Sequence, residues 1–162
     1  MDTKNQKKKV MVVDDEYAIR ELIALTLEQE YDVIKAESGQ DALNKIQNAL
    51  NKINSAPDLI ILDIMMPNMD GYQVCRLLKT NKETKMIPII MLTAKHQNED
   101  VRKAVDVEAD EYITKPFEPE MLRKRVGAYF QLNTKIERRV FKYSKSIHYV
   151  KGRNENLLNY NH

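Results

Sequence analysis

The sequence predicts an α/β fold: a doubly wound, five-stranded parallel sheet with helices on both faces and an extended C-terminal helix. Short apolar runs alternate five times along the chain with longer amphipathic patterns, which is typical of β-then-α units joined by right-handed crossovers. One of these runs, residues 59–62 (LIIL), is apolar on both faces, as expected of a central parallel strand covered by helices on each side.

The first two units come from residues 10–57. Residues 10–13 (VMVV) predict strand one, and a helical stripe follows it, made of Ile19, Leu22, Ile23, Thr26 and Leu27. Residues 31–36 predict strand two. Ser38, with Asp41 three residues later, predicts a helix N-terminus. That helix is expected to place Leu43, Ile46, Leu50 and Ile53 on one face and to end at Asn54, Ser55 and Pro57.

The other three units follow the same pattern. Residues 59–62 end at Asp63, and the next loop turns at Gly71 into a helix that carries Val74, Leu77 and Leu78. Residues 87–92 predict a fourth strand that ends at Thr93. Asn98, followed by two acidic residues, predicts the start of a fourth helix, because a cap and an acidic first turn suit the helix dipole. Residues 111–114 predict the fifth strand, and Pro119 begins a fifth helix.

The composition predicts a reduced, cytoplasmic protein. The chain of 162 residues is 43% apolar and 31% charged, which fits a globular protein and excludes a mostly disordered one. The single cysteine, Cys75, cannot form an internal disulfide, and its apolar neighbours place it in a helix core. No apolar run approaches the roughly 20 residues that a membrane span needs, so we expect no membrane partner.

The net charge of +2 combines an acidic body with a basic tail. Through Glu118 the chain has 16 lysines and arginines against 21 acidic residues, and from Pro119 onward it has 10 against 3. We expect a main domain at residues 1–130, followed by a basic helical extension and a linker or disordered tail at residues 131–162. A heptad-like stripe, interrupted at Asn133, predicts that this extension could pair with a second copy: Leu122, Val126, Tyr129, Ile136, Val140 and Tyr143. Basic runs usually solvate a helix face, so we do not expect direct DNA binding.

Polar residues stand where four of the predicted strands end. They are Asp14 and Asp15, Asp63, Thr93 and Lys115. Ligands of open parallel sheets bind outside the carboxyl ends of the strands, at the point where strand order reverses. In a flavodoxin-like order of 2-1-3-4-5, strands one and three flank that point, so the three carboxylates are expected to converge.

Three carboxylates at one point predict a metal site. They raise one another's pKa unless a cation neutralises them, and Mg²⁺ binds one or two carboxylates while it keeps waters for a phosphate. Each of these residues alone has an ordinary alternative, such as a solvated loop or a helix cap. Their joint placement at strand ends favours a functional site.

The same segments resemble the receiver domain of two-component response regulators, of the kind found in chemotaxis regulators. The resemblance is carried by residues 12–16 (VVDDE), 62–71 (LDIMMPNMDG), 91–94 (MLTA) and 109–117 (ADEYITKPF), in order and at family-like separations over roughly residues 8–130. It implies that Asp63 is the phosphoacceptor. The phosphoryl donor would be a sensor histidine kinase, a phosphotransfer protein or a small molecule such as acetyl phosphate.

The resemblance also implies a Mg²⁺ site and catalytic partners for Asp63. Asp15, Asp63 and the backbone carbonyl of Met65 would bind the ion directly, and Asp14 would bind through a metal-bound water. Lys115 would neutralise oxygens of the transferred group.

A switch is implied as well. Thr93 would bond a phosphoryl oxygen, and Tyr112 resembles an aromatic residue that turns inward when Thr93 moves. The response would be read on the face made by the fourth strand, the fourth helix, the fifth strand and the fifth helix. The Lys115–Pro116 bond resembles the family's cis peptide. We expect a phosphoacceptor with Mg²⁺-dependent self-phosphorylation and autodephosphorylation, not a conventional turnover enzyme.

Other functions fit the residues less well. Haloacid dehalogenase-like phosphatases carry a second aspartate two residues after the nucleophile, where this chain has Met65. A constitutive interaction module would not need the complete acidic set. One alternative stays open, namely that the chain is a receiver fragment of a larger regulator whose output domain is missing. One departure from the family pattern is Glu108, where glycine is common.

Overall fold

Five parallel strands form a single sheet. The computed structural model describes residues 6–53, 55–94 and 108–131. The strands are β1 (Lys9–Val13), β2 (Asp32–Ala36), β3 (Leu59–Asp63), β4 (Ile89–Ala94) and β5 (Glu111–Lys115). The helices of the described ranges are α1 (Tyr17–Leu27), α2 (Gly39–Leu50), α3 (Gly71–Thr80) and α4 (Pro119–Gln131). Within the sheet the strands lie in the order β2-β1-β3-β4-β5, so the predicted strand order is confirmed.

Helix α4 is the fifth of the predicted helices, because the predicted fourth helix falls on residues 95–107, outside the described ranges. The predicted continuation of the last helix past Gln131 also lies outside them.

The chain divides into two compact units, Met1–Arg125 and Val126–His162, and the sheet belongs to the first. The boundary expected near residue 130 stays a prediction. No helix in the described part of the chain is long and apolar enough to cross a bilayer.

The central strands are buried on both faces, as their composition predicts. All five residues of β3 are buried, and so are Val10, Met11, Val12 and Val13 of β1. On one face, alternate strand residues such as Met11 and Ile60 pack in one cluster with Ile46 of α2 and with Val74 and Cys75 of α3. Burial of each large aliphatic side chain stabilises the fold by about 1.5–3 kcal/mol. The predicted core position of Cys75 is confirmed, since its side chain is 0% exposed.

Three side chains predicted on buried helical faces are exposed. Leu22 is 41% exposed and Leu77 is 50% exposed, so those two predictions are wrong. Helix α2 ends at Leu50 and Ile53 beyond it is 93% exposed, so the predicted continuation of this helix through Ile53 to residues 54–57 is wrong as well. The buried face of α1 consists instead of Arg20, Ile23, Ala24 and Leu27. A pattern of apolar residues predicts burial for a leucine and exposure for an arginine. The prediction fails in α1 because the Arg20 guanidinium has backbone hydrogen-bond acceptors inside the fold.

Two local caps fix where the helices begin beside the sheet. The Ser38 hydroxyl accepts a hydrogen bond from the Asp41 amide at 3.1 Å, as predicted. At the start of α3, Asp70 and Gln73 form a reciprocal capping box with distances of 2.8 and 3.0 Å. Such a cap stabilises a helix by about 1 kcal/mol, so α3 begins at a defined residue just after the loop that leaves β3.

Candidate functional site

Three carboxylates meet at the carboxyl ends of β1 and β3. Asp14 and Asp15 follow β1, and Asp63 is the last residue of β3. These strands pair in parallel with Val13 opposite Leu62, which places their ends side by side. One carboxylate oxygen from each aspartate lies within 4.8 Å of the other two. The predicted convergence of the three side chains is therefore observed.

The three aspartates differ in exposure. Asp14 is 0% exposed and Asp63 is 3% exposed, whereas Asp15 is exposed to solvent. Among the three, Asp15 is therefore the aspartate that solvent reaches in the described part of the chain.

Lys115 brings a positive charge to the same cluster from the end of β5. Its ammonium Nζ lies 2.9 Å from Asp14 Oδ2 and 2.9 Å from Asp63 Oδ1. The ammonium is also 3.9 Å from the Glu16 carboxylate. The Lys115–Pro116 peptide is cis, as the resemblance implies. The structure therefore brings together four of the predicted site residues from three strands.

The electrostatics of the cluster favour a further cation. Burial raises the pKa of the Asp63 carboxyl; the ion pair with Lys115 lowers it, and the charges of Asp14 and Asp15 raise it again, so that the net shift is upward. Burial lowers the pKa of the Lys115 ammonium, but its hydrogen bonds to Asp14 and Asp63 outweigh burial and raise it overall. One lysine therefore compensates only part of the negative charge of three aspartates.

Asp14 is held through its main chain and its carboxylate. Its amide donates to the Ala36 carbonyl at 3.2 Å, and its carbonyl accepts from Arg20 Nη1 at 2.6 Å. Its Oδ1 accepts from the Glu16 amide at 2.9 Å. Sequence reasoning missed Arg20. A signal existed, since position 20 falls on the same helical face as Ile23, Ala24 and Leu27.

The loop from β3 to α3 folds back on the end of the strand. The Ile64 carbonyl accepts from the Met66 amide at 3.1 Å and from the Gly71 amide at 2.9 Å. A Cβ at Gly71 would lie 2.3 Å from the Asp63 carbonyl oxygen, so only glycine permits this approach. The Met65 side chain is 58% exposed. The role of its carbonyl as a metal ligand stays a prediction.

Thr93 lies next to the cluster by strand register. Leu92 of β4 is opposite Asp63, so Thr93 is one residue beyond it, and Thr93 in turn is opposite Thr114 of β5. The Thr93 hydroxyl donates to the Ala94 carbonyl at 3.3 Å. Its part in a phosphorylated state stays a prediction.

Tyr112 is a half-buried residue of β5 that packs against the core cluster. Burial raises the pKa of its hydroxyl well above the ordinary range, which keeps the phenol neutral at physiological pH. Its register partner is Met91, two residues before Thr93 on the neighbouring strand. Its role as a switch residue stays a prediction.

The donor set fits Mg²⁺. The ligand atoms offered by Asp14, Asp15 and Asp63 are all carboxylate oxygens, which this ion prefers over nitrogen or sulfur. A buried carboxylate with an ammonium 2.9 Å away is an arrangement that suits attack on a phosphoryl group and neutralisation of its oxygens.

Comparison with known proteins finds matches over most of the chain. The family model described as response regulator receiver domain matches residues 10–127. The alkaline phosphatase synthesis transcriptional regulatory protein PhoP of Bacillus subtilis is 44% identical over 122 residues, which cover 75% of this chain and 48% of that protein. The phosphate regulon transcriptional regulatory protein PhoB of Pseudomonas aeruginosa is 43% identical, with coverage of 75% and 51%. The chain spans about half the length of these curated relatives.

Solved structures share the fold. The chemotaxis protein CheY4 of Vibrio cholerae matches with a TM-score of 0.67 and 34% identity, over 75% of this chain and 98% of that one. The BeF3-activated DrrB receiver domain matches with a TM-score of 0.67 and 32% identity, over 78% and 100% of the two chains.

Proposed function

This chain belongs to the response regulator receiver domain family, whose members are phosphorylation-activated switches, and from that premise we propose that Asp63 is the residue that accepts the phosphoryl group. One observation carries the proposal. Asp63 is 3% exposed at the end of a buried strand, with the Lys115 ammonium 2.9 Å from its Oδ1 and with Asp14 and Asp15 beside it.

In the proposed reaction an Asp63 carboxylate oxygen attacks phosphorus and forms an acyl phosphate. The bond from phosphorus to the donor breaks, and the donor keeps that electron pair. Asp14, Asp15, Asp63 and the carbonyl of Met65 would hold Mg²⁺, which when bound neutralises phosphoryl oxygens. Lys115, held by its bonds to Asp14 and Asp63, supplies a further positive charge to the same oxygens.

The proposed switch runs from Asp63 to the neighbouring strands. The Thr93 hydroxyl exchanges its bond to the Ala94 carbonyl for a bond to a phosphoryl oxygen. Tyr112, two residues from the register partner of Thr93, then repacks against the core. The new charge on Asp63 is thereby converted into a change of surface on the β4 and β5 side of the sheet.

The proposed donor is a sensor histidine kinase, a phosphotransfer protein or a small acyl phosphate in the cytoplasm. The domain acts as a phosphoacceptor that later loses the group by hydrolysis, and not as a conventional turnover enzyme.

The proposed output is a protein contact made by the phosphorylated form, and the basic extension after residue 130 pairs two activated copies. Light scattering with and without beryllofluoride tests this pairing: a doubled mass supports it, and an unchanged monomer mass contradicts it.

The curated relatives favour a second candidate, in which the chain is the receiver part of a transcriptional regulator. Their names describe transcriptional regulation, and the matched region is about half of their length. Sequencing the gene beyond the His162 codon tests this candidate. An in-frame output domain supports it, and an immediate stop codon contradicts it.

Intact mass measurement after incubation with acetyl phosphate tests the phosphoacceptor proposal. We expect one phosphoryl group per chain with MgCl2 present and almost none with EDTA. Asp63→Asn is expected to abolish the addition, whereas Asp32→Asn, which changes an exposed aspartate at the start of β2, is expected to leave it unchanged. Undiminished labelling of Asp63→Asn would sink the proposal.

A further inference from the structure

A buried arginine with no part in the proposed phosphoryl chemistry lies under the acidic turn. Arg20 is 9% exposed and belongs to the buried face of α1. A guanidinium is rarely buried unless acceptors surround it, because its desolvation costs free energy. The acceptors of Arg20 are main-chain oxygens: Nη1 donates to the Asp14 carbonyl at 2.6 Å and, more weakly, to the Asp15 carbonyl at 3.4 Å.

These two bonds hold the main chain of two consecutive candidate metal ligands. The amide of Asp14 bonds to Ala36, and its two carboxylate oxygens bond to Glu16 and Lys115. The bond from Arg20 engages the remaining polar group of Asp14. Asp15 is exposed, and its carbonyl is the second main-chain acceptor of Arg20.

The guanidinium is itself kept in place. The Tyr17 ring lies over it, with 5.7 Å from Arg20 Cζ to the ring centroid, which is within the range of a cation–π contact. Arg20 shares the buried face of α1 with Ile23, Ala24 and Leu27.

We propose that Arg20 is a positioning residue for the metal site, which sets the Asp14–Asp15 turn so that both carboxylates face a divalent cation. This inference rests on the proposed function of the cluster. Groups that orient metal ligands without touching the metal commonly change metal affinity roughly 10- to 100-fold when they are removed.

The test is a titration of the ¹⁵N-labelled full chain with MgCl2, followed by amide NMR shifts, which report the Mg²⁺ Kd and the folded state together. Arg20→Met is expected to weaken Mg²⁺ binding roughly 10-fold or more. Arg20→Lys keeps the charge but lacks the planar fork, so an intermediate Kd is expected. Arg125→Met is the matched control. Arg125 Nη1 donates a hydrogen bond of 2.8 Å to the buried Glu111, which is not a member of the acidic cluster. Its Kd is expected to equal that of the wild type.

The outcomes separate the two proposals. A wild-type chain that does not bind Mg²⁺ overturns the proposed metal site, and with it the role of Arg20. If the wild type binds Mg²⁺ and a folded Arg20→Met chain binds it equally well, the role of Arg20 alone is overturned. If Arg20→Met does not fold, Arg20→Lys decides: a few-fold weaker Kd supports the positioning role, and a wild-type Kd contradicts it.

Discussion

The Lys115 ammonium lies 2.9 Å from Asp63 Oδ1, although the two residues end strands that are separated by β4 in the sheet. The same ammonium is 2.9 Å from Asp14 Oδ2. The lysine therefore bridges the two buried carboxylates of the site, and its charge is already in place where phosphoryl oxygens would be bound. Pre-positioned charge of this kind is effective because it costs no reorganisation during the reaction.

Replacing Lys115 is expected to slow phosphorylation. Lys115→Met removes the pre-positioned charge, so the initial rate with acetyl phosphate and Mg²⁺ should fall roughly 100-fold. Intact mass measured over time gives the rate. Lys8→Met is the matched control, because Lys8 pairs with Asp58 at 3.2 Å as a largely exposed residue, and its rate should be that of the wild type. A Lys115→Met chain as fast as the control would contradict the role of Lys115.

The stability of the metal-free protein should depend on the charge of Asp63. The pKa of its carboxyl is raised in the fold, so the native state holds this proton more tightly than the unfolded chain. The contribution of Asp63 to the free energy of unfolding is most favourable at pH values below the pKa that its carboxyl has in the unfolded chain. This contribution is lost as the pH rises through the pKa that the carboxyl has in the folded protein. In EDTA at pH 7, Asp63→Asn should therefore have a higher Tm than the wild type, and the difference should shrink toward pH 3.

Calorimetric scans across this pH range make the measurement. Asp32→Asn serves as control, since that aspartate is exposed, and its Tm should follow the wild type at each pH. A lower Tm for Asp63→Asn than for the wild type at pH 7 would show that the carboxylate is stabilised by its surroundings, contrary to the upward shift of its pKa.

Gly71→Ala is expected to disturb the end of β3. The added Cβ would lie 2.3 Å from the Asp63 carbonyl oxygen and 2.8 Å from Ile64 Cα, and both neighbours are backbone atoms that cannot rotate away. We expect a loss of about 3 kcal/mol in the free energy of unfolding, together with slower phosphorylation. At Gly39 the nearest atom is Val74 Cγ2 at 2.7 Å, which belongs to a side chain. Urea unfolding should show a smaller loss for Gly39→Ala, and the reverse order would be inconsistent with this packing.

Glu108→Gly is expected to stabilise the protein. The backbone φ of Glu108 is 55°, in the left-handed region, which costs a residue with a Cβ roughly 1–2 kcal/mol. Glycine recovers that cost but loses more conformational entropy on folding, so a net gain of about 0.5–1 kcal/mol is expected by urea unfolding. Glu108→Val should destabilise, because β-branched residues are strained at positive φ. A glycine variant less stable than the wild type would mean that the glutamate side chain outweighs the strain.

Most of the sheet and the converging carboxylates could be predicted from the sequence. Strands such as β3 are apolar on both faces and end in a polar residue, and parallel topology then places those polar residues at one edge. The positions of Asp14, Asp15 and Asp63 follow from this rule without any knowledge of side-chain contacts. The 2.9 Å contacts of Lys115 could not be derived in the same way, because they depend on the packing of β5.

The burial of Arg20 was not predicted, for a related reason. Periodicity assigns charged residues to the solvent face of a helix, and only the fold supplies the carbonyl oxygens of Asp14 and Asp15 that make its burial favourable. The exposure of Ile53 was missed because α2 ends at Leu50, before the apolar pattern does. Element ends depend on local hydrogen bonds that a pattern of apolar residues does not encode.

Location of the phosphoryl group tests the role of Asp63 most directly. The chain is labelled with acetyl phosphate and Mg²⁺, reduced with borohydride, which converts an aspartyl phosphate to homoserine, and mapped by peptide mass spectrometry. We predict homoserine at position 63 and at no other aspartate, including Asp14 and Asp15 of the same cluster. Homoserine at a different aspartate, or a labelled chain with none at position 63, would contradict the assignment of Asp63 as the phosphoacceptor.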